Sequence, residues 1–295
     1  MGRIRLRAPA KINWTLDVKG RRADGYHEVE MLMQSISFWD DIVLTEYDNG
    51  IQVFSNSAGM PLDENNLAAK AARLVKDYFG ITTGIHIHIQ KNIPIAAGLA
   101  GGSTDAAAVL VGLNVLWKLG LTRSGLAELG AVLGADVPFC IHGGTAIARG
   151  IGEKLTPLPD LEAIPLVLIK PPFGVSTASV YNGLDIEQIP FHPDWKTVYD
   201  LLAQGNLRLL RCHMGNVLES VTTNIHPEIN EIKARLDETG AAAAMMTGSG
   251  PAVFGVFETI SDAQQAAEIL KRHYSQVFVA SSHGRGVEIT KGGSL

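Results

Sequence analysis

Cysteine is almost absent from the 295-residue chain, which has only Cys140 and Cys212. Neither has a neighbour at metal-ligand spacing. A cysteine-held metal is set aside, and two free thiols in a reducing, cytoplasmic compartment are expected. No apolar run approaches the roughly 18–20 residues of a membrane-spanning helix. The opening MGRIRLRAPAKINW lacks the apolar core of a secretory leader, and Leu6 stands where a myristoylation signal needs a hydroxyl. No membrane partner is expected. Runs of Lys and Arg are missing too, and the formal net charge is −5, which argues against nucleic acid as a main partner. Any anionic ligand must be met locally, by backbone amides or a few placed cations. Two common phosphate signatures are also absent. There is no G-x-x-x-x-G-K-[ST] loop, and no G-x-G-x-x-G between a strand and a helix, which sets a dinucleotide oxidoreductase aside. The chain has no internal repeat and no low-complexity tract.

What is present is a globular composition, 46% hydrophobic and 19% charged. That is ample for a core, and chains of this length often split into two domains. Residues 1–55 predict mainly strands. Ile4, Leu6 and then 10–18 predict an opening strand pair, and 31–38 and 40–47 predict two more, with Asp24-Gly25 as a turn. Asn65-Asn66 precede an amphipathic helix with Leu67, Ala71, Leu74, Val75 and Tyr78 on one face and Gly80 at its stop. Ile85, Ile87 and Ile89 alternate with His86, His88 and Gln90, the pattern of a half-buried strand. A loop of small residues leads into a helix over 103–117, and a further helix over 122–133 is capped by Thr122. The Pro-containing stretch 155–165 marks a domain boundary, giving units 1–160 and 161–295. In the second unit, strands are expected at 166–170, 243–246, 252–257, 276–280 and 287–290, with helices at 176–182, 195–203, 227–239 and 261–274. That order predicts an α+β sandwich.

The strongest chemical signal is PIAAGLAGGSTDAAAVL at 94–110. Gly98, Gly101 and Gly102 let the backbone approach an anion and take positive φ. Ser103 and Thr104 then open a helix whose first amides are unpaired and whose dipole favours negative charge. Together they make a phosphate cradle; the plain alternative is a flexible turn before a core helix. Asp105, in the first turn, suits the helix end. Lys11 shares a strand face with Asn13, opposite Ile12 and Trp14, and either reaches water or meets an anion. Asp136, beside Val137, Pro138 and Phe139, is either a helix-end cap or a base in a half-buried site. The turn TGSG offers a second anion nest at Gly248, Ser249 and Gly250, or an ordinary hairpin turn. His86 and His88 share a face without a third ligand, so no metal set is assigned.

Four motifs, in this order, resemble one family: PAKIN at 9–13, PIAAGLAGGSTDAA at 94–107, GADVPF at 134–139 and TGSGPAVFG at 247–255. The chain resembles the GHMP superfamily of small-molecule kinases over nearly its whole length. The segment GRRADGYHEVEMLMQSISFWD is similar to the branch whose acceptor is 4-diphosphocytidyl-2-C-methyl-D-erythritol, of the non-mevalonate isoprenoid pathway. It argues against homoserine or mevalonate as acceptor. The resemblance implies an α+β, two-domain GHMP kinase fold. An N-terminal ribosomal-protein-S5-like domain and a C-terminal ferredoxin-like α/β sandwich would flank the site. It implies ATP as phosphoryl donor, an accompanying Mg2+, and a small-molecule cytidyl substrate phosphorylated at its 2-hydroxyl. Residue by residue, it implies Lys11 and Asp136 as the catalytic pair, with Asn66 and Lys91 near the adenine. Pro94, Ile95, Ala96, Ala97, Gly98, Leu99, Ala100, Gly101, Gly102, Ser103 and Thr104 match the ATP loop, Ser103 or Thr104 being the candidate contact to the metal. Asn13, Tyr26, His27 and Tyr181 match positions around the cytidine or the erythritol, with Gly248, Ser249 and Gly250 on the same substrate side. The loop departs from the family pattern, since Ala96, Ala97 and Ala100 stand where glycine is common, which predicts a slightly stiffer loop. A catalytically silent binding protein of the same superfamily is the alternative from another class; Lys11 and Asp136 together argue against it. No feature of the sequence sets an oligomeric state.

Overall fold

Bulges rather than breaks shape the first sheet. The computed structural model describes residues 2–161 and 163–290. Its first two strands, β1 (Arg3–Arg21) and β2 (His27–Tyr47), are each continuous where the sequence predicts two strands apiece. They pair antiparallel across the Asp24-Gly25 turn, from Arg21↔His27 out to Arg3↔Thr45. Register shifts fall between Pro9/Lys11, Asn13/Thr15 and Val18/Gly20, and these reset the alternation that the sequence pattern follows. A bulge bends a strand without ending it, and it absorbs a proline that has no N–H for the ladder.

The sheet grows from β2. Its C-terminal half pairs with β4 (Gly84–Gln90), which in turn pairs with β3 (Ile51–Ser55). Its N-terminal half pairs with β5 (Thr145–Gly150), which carries β6 (Lys154–Leu158). Four helices cover one face: α1 (Leu67–Phe79), α2 (Gly101–Leu116), α3 (Arg123–Ala131) and α4 (Val137–His142). Ile85, Ile87 and Ile89 point into that core, as their alternation predicts. Asn66 caps α1 by accepting from the Ala68 and Ala69 amides, and Gly80 ends it at φ 66°. α2 buries every residue from Thr104 to Leu113. A helix apolar all round belongs inside a layer, and this one lies between α1, α4 and the first two strands. It starts at Gly101, two residues earlier than predicted, so two glycines form its first turn.

The second layer holds α5 (Thr177–Gly183), α6 (Trp195–Ala203), α7 (Glu219–Ile225), α8 (Glu228–Glu238) and α9 (Ile260–Leu270). Its strands are β7 (Pro165–Ile169), β9 (Ala243–Met246), β10 (Val253–Val256) and β11 (Val277–Ser281), antiparallel in the order β11-β7-β10-β9. Two short strands leave this layer. β8 (Gly215–Asn216) and β12 (Glu288–Ile289) both pair with β1. α7 is absent from the sequence expectation because ESVTTNI is rich in β-branched and small polar residues. Its Thr222 and Thr223 hydroxyls bond back to the Leu218 and Glu219 carbonyls, which satisfies them within the helix without favouring it. Every residue of β7 and β10 is buried, because both faces of this sheet are covered. Val167, Ile169 and Val253 pack on α8 and α9. Leu166, Leu168 and Phe254 pack on Ala10, Ile12 and Trp14 of β1, with Trp14 edge-on to Phe254 at 5.6 Å between ring centroids. Truncating so buried an aromatic typically costs about 3–5 kcal/mol. The two layers therefore share a core, and it is this core that carries the β9–β10 turn up to β1.

Candidate active site

The 94–104 loop is anchored by alternate residues. Ala97 and Leu99 are buried in the shared core, while Ala96, Gly98 and Ala100 stand outside it. The Leu99 carbonyl accepts from Lys11 N at 3.2 Å, and the Ala97 carbonyl accepts from Ala252 N at 3.2 Å. The loop is thus fastened to β1 on one side and to the β9–β10 turn on the other. Its path needs positive φ at Ala96 (52°), Gly98 (78°) and Ala100 (58°). Only glycine fits at 98, since a Cβ there would run into the Thr247 carbonyl. At 96 and 100 the alanines hold a left-handed conformation at a cost of about 1–2 kcal/mol each.

Ala100 is the N-cap of α2 and has no side-chain cap, so the first amides of the helix are open to an anion. Thr104 and Asp105 follow, and each buries one polar atom without a hydrogen-bond partner: Thr104 Oγ1 and Asp105 Oδ1. Such an atom typically costs about 1–3 kcal/mol. Asp105 does not serve the helix end. Its Oδ2 accepts from Lys91 Nζ at 2.8 Å. Lys91 also donates to Asp40, whose other oxygen accepts from the Asn92 and Ile93 amides at 2.6 and 2.8 Å. The Lys91, Asp40 and Asp105 side chains are 5%, 0% and 3% exposed. Burial pulls the Lys91 ammonium down, but the charges of Asp105 and Asp40 outweigh it and the net shift is upward. Burial pushes the Asp105 carboxyl well above the ordinary carboxylate range, and the Lys91 charge offsets only part of that.

Asp136 stands at the N-cap of α4, yet its side chain caps no amide there. The cap reading is thereby set aside. Its carboxylate is 31% exposed and lies 3.9 Å from Lys11 Nζ, itself on a side chain 6% exposed. Lys11 donates to Asn13 Oδ1 at 2.9 Å. The same oxygen accepts from Gly248 N at 3.1 Å, while Asn13 N donates to Thr247 Oγ1 at 3.1 Å. One asparagine therefore ties the lysine to the 247–250 turn. Asn216 holds that turn from the other side, donating to the Met246 and Gly248 carbonyls at 2.9 and 2.7 Å. Thr222 Oγ1 donates to the Ser249 carbonyl, and the Thr177 and Ser249 hydroxyls are bonded at 2.8 Å. The two glycine segments touch, since a Cβ on Gly248 would lie 3.0 Å from the Gly98 carbonyl.

The remaining expected residues divide. Tyr181 lies near Asp136, and its ring is 5.2 Å from that of His27. Burial first, and the Asp136 charge second, push the Tyr181 phenol up, so it stays protonated at neutral pH. Burial and then Arg21 lower His27, leaving its imidazole neutral there. The Cys140 thiol is pushed up by burial first and Asp136 second, so it stays protonated and inert. Tyr26, 60% exposed, stands at the rim and outside this cluster. The Asn66 side chain is engaged in capping α1 and in donating to the Pro61 carbonyl at 2.7 Å. Its neighbour Leu67 packs against Gly102. Lys91 presents its ammonium to Asp40 and Asp105 below the loop. Sequence reasoning missed Asp40, although it ends the quoted segment 20–40, and Asn216, which stands in no motif; Thr247 stands inside one that was quoted.

Residues 66–144 match the family GHMP kinases N terminal domain, and residues 194–276 match GHMP kinases C terminal. The chain is 48% identical over 286 residues to the 4-diphosphocytidyl-2-C-methyl-D-erythritol kinase of Alkaliphilus metalliredigens, covering 97% of this chain and 98% of that protein. A crystal structure of 4-(cytidine 5'-diphospho)-2C-methyl-D-erythritol kinase matches with a TM-score of 0.84 at 34% identity, over 95% of this chain and 100% of that one. A homoserine kinase from Cytophaga hutchinsonii, at 20% identity and a TM-score of 0.76 over 98% of each chain, shares the fold alone.

Proposed function

The chain belongs to the GHMP kinases, and within them to the 4-diphosphocytidyl-2-C-methyl-D-erythritol kinase family, and from that membership we propose how its residues share the work. It is an ATP-dependent small-molecule kinase acting on 4-diphosphocytidyl-2-C-methyl-D-erythritol, a step of isoprenoid precursor synthesis. We place the new phosphate on the 2-hydroxyl.

Phosphoryl transfer needs mainly alignment and charge neutralisation. Asp136 takes the proton of the acceptor hydroxyl, or orients that hydroxyl. Lys11 offers its ammonium to the charge developing on the attacking oxygen, and Asn13 holds that ammonium in place. The 94–104 loop and the open amides of α2 receive the phosphates of ATP. When bound, Mg2+ neutralises phosphate charge. Among the described residues no three His, Cys, Asp or Glu side chains gather to hold a metal. Of the two hydroxyls at the start of α2, Ser103 is the one that would contact an ion carried by the nucleotide's phosphates, since Thr104 Oγ1 is buried. Tyr181 brings a protonated phenol to the acceptor side. Neutral His27 offers one N–H and one lone pair to the polar edge of the cytosine, and Tyr26 stacks on its face from the rim. Gly248, Ser249 and Gly250 border the acceptor, and Asn66, beside Gly102, borders the adenine. A cytoplasmic setting is consistent with the lack of any helix long and apolar enough to cross a membrane among the described residues. We keep the division into units 1–160 and 161–295, with β8 and β12 returning to the first sheet.

The observation that carries this reading is the Lys11–Asp136 contact at 3.9 Å, joined through Asn13 to the glycine turn. The purified chain, given ATP and the cytidyl substrate, should yield a phosphorylated product identifiable by mass. Asp136→Asn should lower kcat by about two orders of magnitude. Turnover within a few-fold of normal would remove Asp136 as the base. Tyr26→Ala should raise KM for the cytidyl substrate far more than for ATP, and an equal rise would move Tyr26 out of that pocket.

A further inference from the structure

The charged cluster under the loop has a particular place in the chain. Lys91 is the first residue after β4, on the approach to the loop, and Asp105 lies one turn inside α2, where the loop ends. Asp40, on β2, holds Lys91 and also the amides of Asn92 and Ile93, the two residues that lead into the loop. Gly101 rests directly on the cluster, since a Cβ there would lie 2.8 Å from Lys91 Nζ. Both ends of the loop are therefore tied to one ammonium, itself tied to the central strand. We propose that Asp40, Lys91 and Asp105 form a positioning clamp for nucleotide binding. The clamp fixes the direction of the first α2 amides from beneath and does not touch the nucleotide. It rests on the reading of 94–104 as the ATP loop.

Stability alone is a poor account of such a cluster. Apolar replacements of a buried ion pair are usually as stable or more so, because desolvation outweighs the attraction. Two carboxyls facing one ammonium make the balance worse, and Asp105 Oδ1 and Thr104 Oγ1 are left without partners. What charged hydrogen bonds supply and apolar contacts do not is direction. Direction matters where a helix must aim its amides at an anion.

Affinity for a non-hydrolysable ATP analogue, read by calorimetry without turnover, tests the clamp. Asp105→Leu and Lys91→Met should each weaken it by about tenfold, the size of a lost charged hydrogen bond. KM for the cytidyl substrate should move by less than about twofold. Asp105→Asn keeps an acceptor for Lys91 and should weaken analogue binding by less than about threefold. The triple variant Asp40→Asn/Lys91→Met/Asp105→Leu leaves no buried charge in the cluster and keeps an oxygen for the Asn92 and Ile93 amides, so it should melt near the unmodified chain while still binding the analogue poorly. Normal affinity in folded Asp105→Leu overturns the clamp, because a lysine acting directly on the nucleotide would not need Asp105. Recovery of affinity together with stability in the triple variant overturns it too, leaving a structural role only. A wrong acceptor would show separately, as missing product from the unmodified chain.

Discussion

The two glycine segments that meet at this site are held in opposite ways. The 94–104 loop is tied at both ends by buried charges and pinned by two of its own side chains, Ala97 and Leu99. The 247–250 turn has no charged anchor; its own Thr247 and Ser249 hydroxyls meet Asn13 N and the Thr177 hydroxyl. Neutral side chains from β1, β8, α5 and α7 hold it: Asn13, Asn216 and Thr222 by its backbone, and Thr177 by the Ser249 hydroxyl. The turn uses glycine at its positive-φ positions, Gly248 and Gly250, whereas the loop uses alanine at two of three, Ala96 and Ala100. An unfavourable backbone conformation persists where the surroundings over-determine it. The loop has those surroundings, and the turn relies on the conformational freedom of its residues.

The seam between the two segments gives the sharpest test of this contrast. Gly98→Ala drives a methyl into the Thr247 carbonyl. It should cost about 3 kcal/mol in urea melts, and a loss under about 1 kcal/mol would mean that the segments part freely. Next in size is Asn216→Ala, which strands the Met246 and Gly248 carbonyls and should cost about 1–3 kcal/mol. It should raise KM for the cytidyl substrate more than for ATP. Equal rises would show that turn and loop behave as one unit.

Asp105→Asn isolates the charge under the loop. The folded pKa of Asp105 lies above its unfolded value. Its contribution is thus fully present below the unfolded pKa and is lost as pH rises through the folded one. The asparagine variant should therefore gain on the unmodified chain as pH climbs above about 4, seen in melts at acid and neutral pH. A difference independent of pH would mean that Asp105 is ionised to the same extent folded and unfolded. The smallest effect belongs to Ala100→Gly. Relief of the left-handed strain, less the added freedom of the unfolded chain, should leave a gain of about 0.5 kcal/mol. A loss would show that the Ala100 methyl packs better than it strains.

Local pattern was legible wherever one physical rule acted alone. Ile85, Ile87 and Ile89 alternate without a bulge, so β4 was read correctly, and Asn66 and Gly80 bracket α1 as cap residues should. β1 and β2 were divided because bulges reset their alternation, and no residue type announces a bulge. At the site, the resemblance of four motifs to the GHMP kinases pointed to Lys11, Asn13 and Asp136, and the fold brings them together. Lys91 and Asp105 were visible as charges, but Asp40, the second partner of Lys91, lies on the neighbouring strand β2, and only folding shows which way the ammonium points. Asn216 sits in a two-residue strand without a motif, so nothing short of the tertiary contact reveals its two hydrogen bonds.

β1 precedes every other element in the chain, carries Lys11 and Asn13, and is flanked by β8 and β12 from the far end of the sequence. Domains tend to fold as units while the ribosome is still at work. This strand cannot be finished that way. A growing chain holds Lys11 and Asp136 when less than half of it has emerged, yet the turn that grips Asn13 and the last strand beside it come much later. Catalytic competence is thus an event of late synthesis, and a chain stalled before residue 247 would carry the reactive pair without the turn that grips Asn13.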